Sequence, residues 1–247
     1  MSGGLTAWER RDETIWRPAN PVNPGLDELL RHLESVGFSG APPSRGLDAA
    51  GRLGVGWLAG ESGAPEGDSD ARLTSAARLI RAYHDAVEDF PVPGCLEPLV
   101  GAPSSGDLVC HNDLSPTNTV FQEARAVGLI DFDLAGPGTR AWDLAYAAWR
   151  FVPLYDRDFF DARDATMPDQ VGRLRLFVDA YGLETRTDFS QLICRRIQSL
   201  YDTARVWGGI EQREGWREVW HDTLGQQWLR SLRYAEANES LWDAALA

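Results

Sequence analysis

Lysine is absent from this chain of 247 residues: all 24 of its basic residues are arginines. Any fixed cation it uses is therefore a planar guanidinium fork and never a compact ammonium. Cysteine is scarce too. Three of them, Cys95, Cys110 and Cys194, are odd in number and widely spaced, which argues against a disulfide framework and against a zinc site. No apolar run approaches the roughly 20 residues of a membrane span. The opening MSGGLTAWERRDE lacks the apolar segment of a signal peptide, so a reducing cytoplasm is the expected setting. Positive charge is in deficit, with a formal net charge of −13. That balance disfavours nucleic acid as a partner, because phosphate binding needs clustered basic groups. It is compatible with a cationic small substrate drawn to a negative cleft. The simpler reading, an acidic surface that maintains solubility, is preferred. With 43% hydrophobic residues the chain can bury a full core, as one large domain or as two lobes sharing a cleft.

Chemistry concentrates between Leu108 and Asp133, in LVCHNDLSPTNTVFQEARAVGLIDFD. Asp113 follows His111 by two positions and precedes Asn118 by five. A short hairpin comes next, and then Asp131 at the end of an apolar run. Two strand ends and a loop thus bring three oxygen-bearing side chains together. Phosphoryl transfer from a nucleotide needs that set: a carboxylate to orient the attacking hydroxyl, with an amide and a second carboxylate for magnesium. A metal-dependent hydrolase is disfavoured, since clustered histidine ligands are lacking.

With its spacing to Ile130-Asp131-Phe132-Asp133 and Trp142-Asp143-Leu144-Ala145, the segment resembles the aminoglycoside phosphotransferase family. The likeness runs from Thr14-Ile15-Trp16-Arg17-Pro18 to about Tyr181. It implies a protein-kinase-like α+β fold of two lobes, a reduced β-rich N-terminal lobe (1–60) on a helical C-terminal lobe (61–247). It also implies Asp113 as the catalytic aspartate, Asn118 and Asp131 as magnesium ligands, and ATP or GTP as co-substrate. The acceptor would be a small hydroxyl-bearing molecule. His111 and Asp143 are expected to brace the catalytic loop without joining the chemistry, while Asp133 could touch metal, water or substrate, or serve only the loop.

The nucleotide side departs from the family, which holds phosphates with a lysine on a small-lobe strand. Arg17 stands at that strand's end, and Asp27 on the following helix is its expected partner in preference to Glu28 or Glu34. Gly56 and Leu58, on a strand over 52–60, are expected to face the adenine with backbone groups, although the glycines there look loose. The glycine pair Gly3-Gly4 comes too early for a strand-flanked phosphate lid. The absent lysine and short lid motivate an alternative, a weak or inactive kinase-fold protein with a binding or immunity role.

Elsewhere the spacing predicts strands at Leu5–Arg10 and Thr14–Arg17 around a turn at Asp12-Glu13. Helices are predicted at Gly25–Val36, Ala71–Val87, 141–151, 168–181, 190–206 and 213–245. The stretch ESGAPEGDSD reads as a flexible junction. Trp149 and Arg150 are candidates for the border of the substrate pocket. Asp156, Asp158 and Asp161 are candidates for meeting substrate amines, or a solvated charge run. Trp216, Trp220 and Trp228 read as packing residues.

Overall fold

Pro24 fixes the start of the first helix, where its missing N–H costs nothing, and Gly37 at φ 79° follows its end. Between them α1 (Asn23–Ser35) buries the stripe Leu26, Leu29, Leu30 and Leu33. The computed structural model describes residues 8–63, 69–103, 106, 108–156, 169–221 and 224–247. Before α1, β1 (Glu9–Arg11) and β2 (Thr14–Arg17) form a hairpin through Asp12, at φ 54°. The expected strand at Leu5–Arg10 begins outside the described residues, as does the glycine pair Gly3-Gly4.

β3 (Ser44–Leu47) and β4 (Leu53–Gly56) complete an antiparallel sheet in the order β1-β2-β4-β3. The sequence offered no signal for β3, because Pro42-Pro43 and Gly46 read as loop. β4 is also shorter than the expected 52–60 run. Its glycines are not loose. A Cβ on Gly54 would lie 3.1 Å from the Trp16 ring and one on Gly56 only 2.6 Å from Pro43, so both positions let neighbours close in.

β5 (Glu61–Ser62) lies in the stretch read as a flexible junction, yet it pairs with β7 (Thr119–Gln122), which pairs in turn with β8 (Arg125–Leu129). The amide of Leu129 also donates to the carbonyl of Gly40 at 2.8 Å. The segment between α1 and β3 is thereby tied to the β7-β8 hairpin. β6 (Leu108–Cys110) pairs with β9 (Gly136–Gly138).

The remainder is helical. α2 (Asp70–Ala86) is capped by Ser69 and buries Leu73, Ala77, Ile80 and His84, which recur at helical spacing on one face. α3 (Arg140–Phe151) is capped by Thr139, α4 (Gln170–Tyr181) by Asp169, and α5 (Phe189–Thr203) packs on α3 and on α7 (Leu224–Leu246). After α5 the chain widens into a π-helical turn over Ala204–Ile210. A Cβ on Gly208 would lie 2.1 Å from the Trp216 carbonyl, so this glycine lets the turn close against α6 (Trp216–His221). The single helix expected over 213–245 is accordingly α6 followed by α7. One large apolar cluster runs from Leu26 on α1 to Leu246 on α7. All three cysteines are free thiols. Among the described residues no helix is long and apolar enough to cross a membrane.

Candidate active site

The segment that carries Asp113 grows from β6. Asn112, in the left-handed region at φ 64°, turns the chain so that Asp113 leaves the strand at an angle. Asp143, fully buried near the start of α3, holds that turn: its carboxylate accepts the amides of His111 (2.8 Å) and Asn112 (2.9 Å) and faces His84 Nε2 at 3.2 Å. Burial pushes its carboxyl upward, but the His84 hydrogen bond and the neighbouring histidines and amides outweigh this and hold it below the usual carboxylate range. Its stabilising contribution is therefore complete above that range and drains away as the pH falls through it. Asp143→Ala should cost about 3–5 kcal/mol, the scale for stripping one partner from a buried ionic network. Urea unfolding at neutral pH checks this; a loss below about 1 kcal/mol would place the turn's support elsewhere.

His111 fills the bracing role expected of it. Its ring packs on Phe132 at 4.4 Å, Nε2 lies 3.0 Å from the Ile130 carbonyl, and Nδ1 accepts the Asp113 amide at 3.3 Å.

Both carboxylate oxygens of Asp113 are held. Tyr146 Oη donates to Oδ1 at 2.6 Å and Asn118 Nδ2 to Oδ2 at 2.8 Å. Burial pushes the Asp113 carboxyl up against the opposing pull of Tyr146, His111 and Arg150. Across the hairpin the Ile130 amide donates to the Asn118 carbonyl at 2.9 Å, which sets Asn118 beside the segment carrying Asp131. Asp131 is itself left-handed, at φ 68°. Sequence and structure thus bring Asp113, Asn118 and Asp131 to one place. Among the described residues no group of three or more His, Cys, Asp or Glu side chains forms a metal cage. The available oxygen set therefore includes the side-chain carbonyl of Asn118.

Arg17 reaches this place from the small sheet, though not in the expected company. Its guanidinium donates to Asp131 Oδ1 at 2.8 Å and pairs with Asp133. Burial works against the charge, but the two carboxylates raise its pKa. The expected Arg17–Asp27 pair gives way to a local one: Asp27 pairs with Arg31 one helical turn on at 3.0 Å, and Ser44 donates to it. A short aspartate side chain beside an i+4 arginine is captured locally. Gly56, expected at the adenine edge, spends its amide on the Pro43 carbonyl at 2.8 Å. The Leu58 side chain lies against Gly128 of β8, where a Cβ would sit 2.4 Å away.

Three residues of the site carried too little local signal to be singled out. Tyr146 is one helical turn beyond Asp143. His84 lies on the buried face of α2, where its spacing reads as core. Arg196 comes from α5 and donates to the Asn112 carbonyl at 2.6 Å. Asp156 pairs with Arg230 at 2.5 Å, while Asp158 and Asp161 lie outside the described residues. Trp149 is core, 1% exposed.

A small antiparallel sheet over a helical body, with a turn of this shape between β6 and β7, is the protein-kinase-like fold. Solved structures share it. Aminoglycoside 2'-phosphotransferase-IIIa in its GDP complex superposes with a TM-score of 0.64 over 96% of this chain and 91% of its own, at 13% identity. A choline/ethanolamine kinase family protein from Mesorhizobium loti gives 0.61 over 100% and 90%, at 15% identity. In sequence, the model of the phosphotransferase enzyme family matches residues 96–174. The trifolitoxin immunity protein of Rhizobium leguminosarum bv. trifolii is 31% identical over 192 residues, covering 74% of this chain and 73% of that protein. The chain belongs to the phosphotransferase enzyme family.

Proposed function

We propose that the protein moves the terminal phosphate of ATP or GTP to a hydroxyl of a small molecule, with Asp113 accepting the proton of the attacking hydroxyl. One observation carries this reading. Asp113 is fixed at both oxygens, by Tyr146 from α3 and by Asn118 from the hairpin that bears Asp131. Each oxygen keeps a further lone pair for the incoming hydroxyl.

Asn118 uses its nitrogen on Asp113, which leaves its carbonyl oxygen, and Asp131 adds a carboxylate. Both are hard donors that fit magnesium. Bound there, the ion would neutralise charge developing on the phosphates. Arg17, resting on Asp131 and Asp133, is placed to turn toward phosphate oxygens as the phosphate anchor. The backbone at Leu58 is the better candidate for the base edge, with Gly56 shaping the sheet that presents it. Asp27 would support the nucleotide only indirectly, through Ser44. On this reading residues 1–60 form the nucleotide lobe and 61–247 the lobe with the catalytic hairpin. Screening hydroxylated metabolites and antibiotics for nucleotide consumption, with mass detection of a phosphorylated product, tests the reading. Hits confined to compounds without a hydroxyl would sink it.

Removing the Tyr146 hydroxyl should shift the pH dependence in a definite direction. Tyr146 stabilises the ionised form of Asp113, so Tyr146→Phe raises the carboxyl further. Activity requires the carboxylate and falls as pH drops through its pKa, so the acid limb of kcat/KM should move to higher pH. An acid limb that stays in place would show that another group sets it.

A binding or immunity role is the second reading, favoured by the relative's name and by the engagement of Arg17 with Asp131 and Asp133. Thermal shift with magnesium and nucleotides separates the two, since a ligand of the folded state raises Tm. Magnesium-dependent stabilisation supports transfer, and silence with every nucleotide supports the binding role.

A further inference from the structure

In a chain with 37 acidic side chains to 24 arginines, a shielded guanidinium without a carboxylate calls for explanation. Two such groups, Arg150 and Arg196, lie near enough to Asp113 to interact with its charge. Arg150 ends the helical turn that Tyr146 begins. Its Nε is buried without a hydrogen-bond partner, and among the described residues it makes no ion pair. Aromatic faces hold it instead: its guanidinium lies 5.3 Å from the Trp149 ring centroid and 5.6 Å from that of Tyr155. Arg196 is fully buried, 4.7 Å from the Tyr146 ring and 5.2 Å from that of Trp142. It gives one nitrogen to the Asn112 carbonyl, while among the described residues Nε and Nη1 have no partner.

Buried charge is normally paired, because an uncompensated ion costs several kcal/mol. Among the described residues neither arginine hydrogen-bonds an acidic side chain; Asp113 lies near enough to Arg150 for each to favour the other's charge, but both its oxygens are hydrogen-bonded by Tyr146 and Asn118. A direct partner for the Arg150 fork is then one that arrives with a ligand. Arg196 is sealed beneath the Tyr146 ring and lends positive potential from below. Arg150 is partly exposed, and its planar fork suits a carboxylate met by two parallel N–H groups. Stacking on Trp149 and Tyr155 fixes the fork before any ligand binds, which lowers the ordering cost of recognition.

We propose that Arg150, backed by Arg196, makes the acceptor side of this site a receptor for an anionic group, so that the molecule phosphorylated is a hydroxyl compound bearing a carboxylate and not a polycation. The word acceptor rests on the phosphotransferase reading; the anion site itself does not.

The experiment measures ligand affinity by quenching of tryptophan fluorescence, on the full chain, at constant ionic strength and without nucleotide. Probes are glycerate, gluconate and N-acetylserine, each beside its neutral amide, with kanamycin as a polycation. ADP affinity is measured in parallel with magnesium. Wild type should prefer at least one acid over its amide, and Arg150→Gln should abolish that preference, a loss of roughly ten- to a hundredfold for a bidentate charged contact. Arg150→Lys, which keeps charge without the fork, should retain part of it. ADP affinity should be unchanged in both variants, and Tm confirms that each is folded.

A preference for amides or for kanamycin overturns the proposal, as does equal affinity for acids and amides. If Arg150→Gln weakens ADP and spares the acids, the arginine serves the nucleotide phosphates and the proposal is wrong. Arg150-dependent acid binding in a protein that binds no nucleotide would leave this site standing and remove the transferase reading.

Discussion

Asp113→Ala should lower phosphate transfer by roughly 10²–10⁴-fold, the usual worth of a positioned general base, while nucleotide affinity stays within a factor of two or so. The separation follows from the geometry. Asp113 is hydrogen-bonded to Tyr146 and Asn118, whereas Arg17 pairs with Asp131 and Asp133. Its loss therefore removes the proposed proton acceptor and spares the groups proposed to hold phosphate. Asp113→Asn is the companion variant, because it keeps the bond to Tyr146 with an amide oxygen and so preserves the local packing. Single-turnover transfer and equilibrium nucleotide binding are the two measurements. Transfer at the wild-type rate in either variant would remove Asp113 from the mechanism. Equal loss of binding and of rate would instead show that the whole turn had collapsed.

Arg17→Ala should weaken nucleotide binding by roughly tenfold or more, the scale for losing a charge-assisted contact to phosphate. It should also lower stability, since it leaves Asp131 and Asp133 facing one another without their shared cation. Arg17→Lys keeps the charge but loses the planar guanidinium whose Nη2 meets both carboxylates, so it should fall between wild type and alanine. Asp27→Ala sharpens the test. Because Asp27 is bound to Arg31 and Ser44, it should leave nucleotide affinity nearly unchanged and loosen only the contact of α1 with β3. Titration of all three variants at one salt concentration decides the matter. Unchanged affinity in Arg17→Ala makes Arg17 a structural clasp, and an Asp27→Ala variant as impaired as Arg17→Ala would restore the expected partnership.

The contrast between these variants shows where the sequence was informative. Asp113, Asn118 and Asp131 lie on one hairpin, so their convergence follows from local spacing and strand geometry, and it was legible. The helices α1 and α2 were legible too, because their buried faces recur at 3.6-residue spacing. Arg17 could be placed at a strand end from its neighbours. Its partner could not, because the choice between Asp27 and Asp131 depends on how the small sheet sits on the hairpin. β3 was hidden for a related reason. It pairs with β4 despite Pro42-Pro43 and Gly46, through an irregular register, so tertiary pairing overrides a loop-like composition. Arg196 shows the limit most clearly, since 84 positions separate it from the carbonyl it serves.

Asp143 gives the catalytic turn an unusual place in the order of folding. Its carboxylate joins α3 to the amides of His111 and Asn112 and to His84 on α2, positions up to 59 apart in the chain. The turn cannot take its final shape until both helices have docked, so it matures with the core and not ahead of it. Once made, those two amides face a fully buried acceptor. Their release then demands the opening of the helical body and not the fraying of a surface loop. The part of the molecule that must be most exact for chemistry is thus as durable as the fold itself, and its accuracy is inherited from global stability.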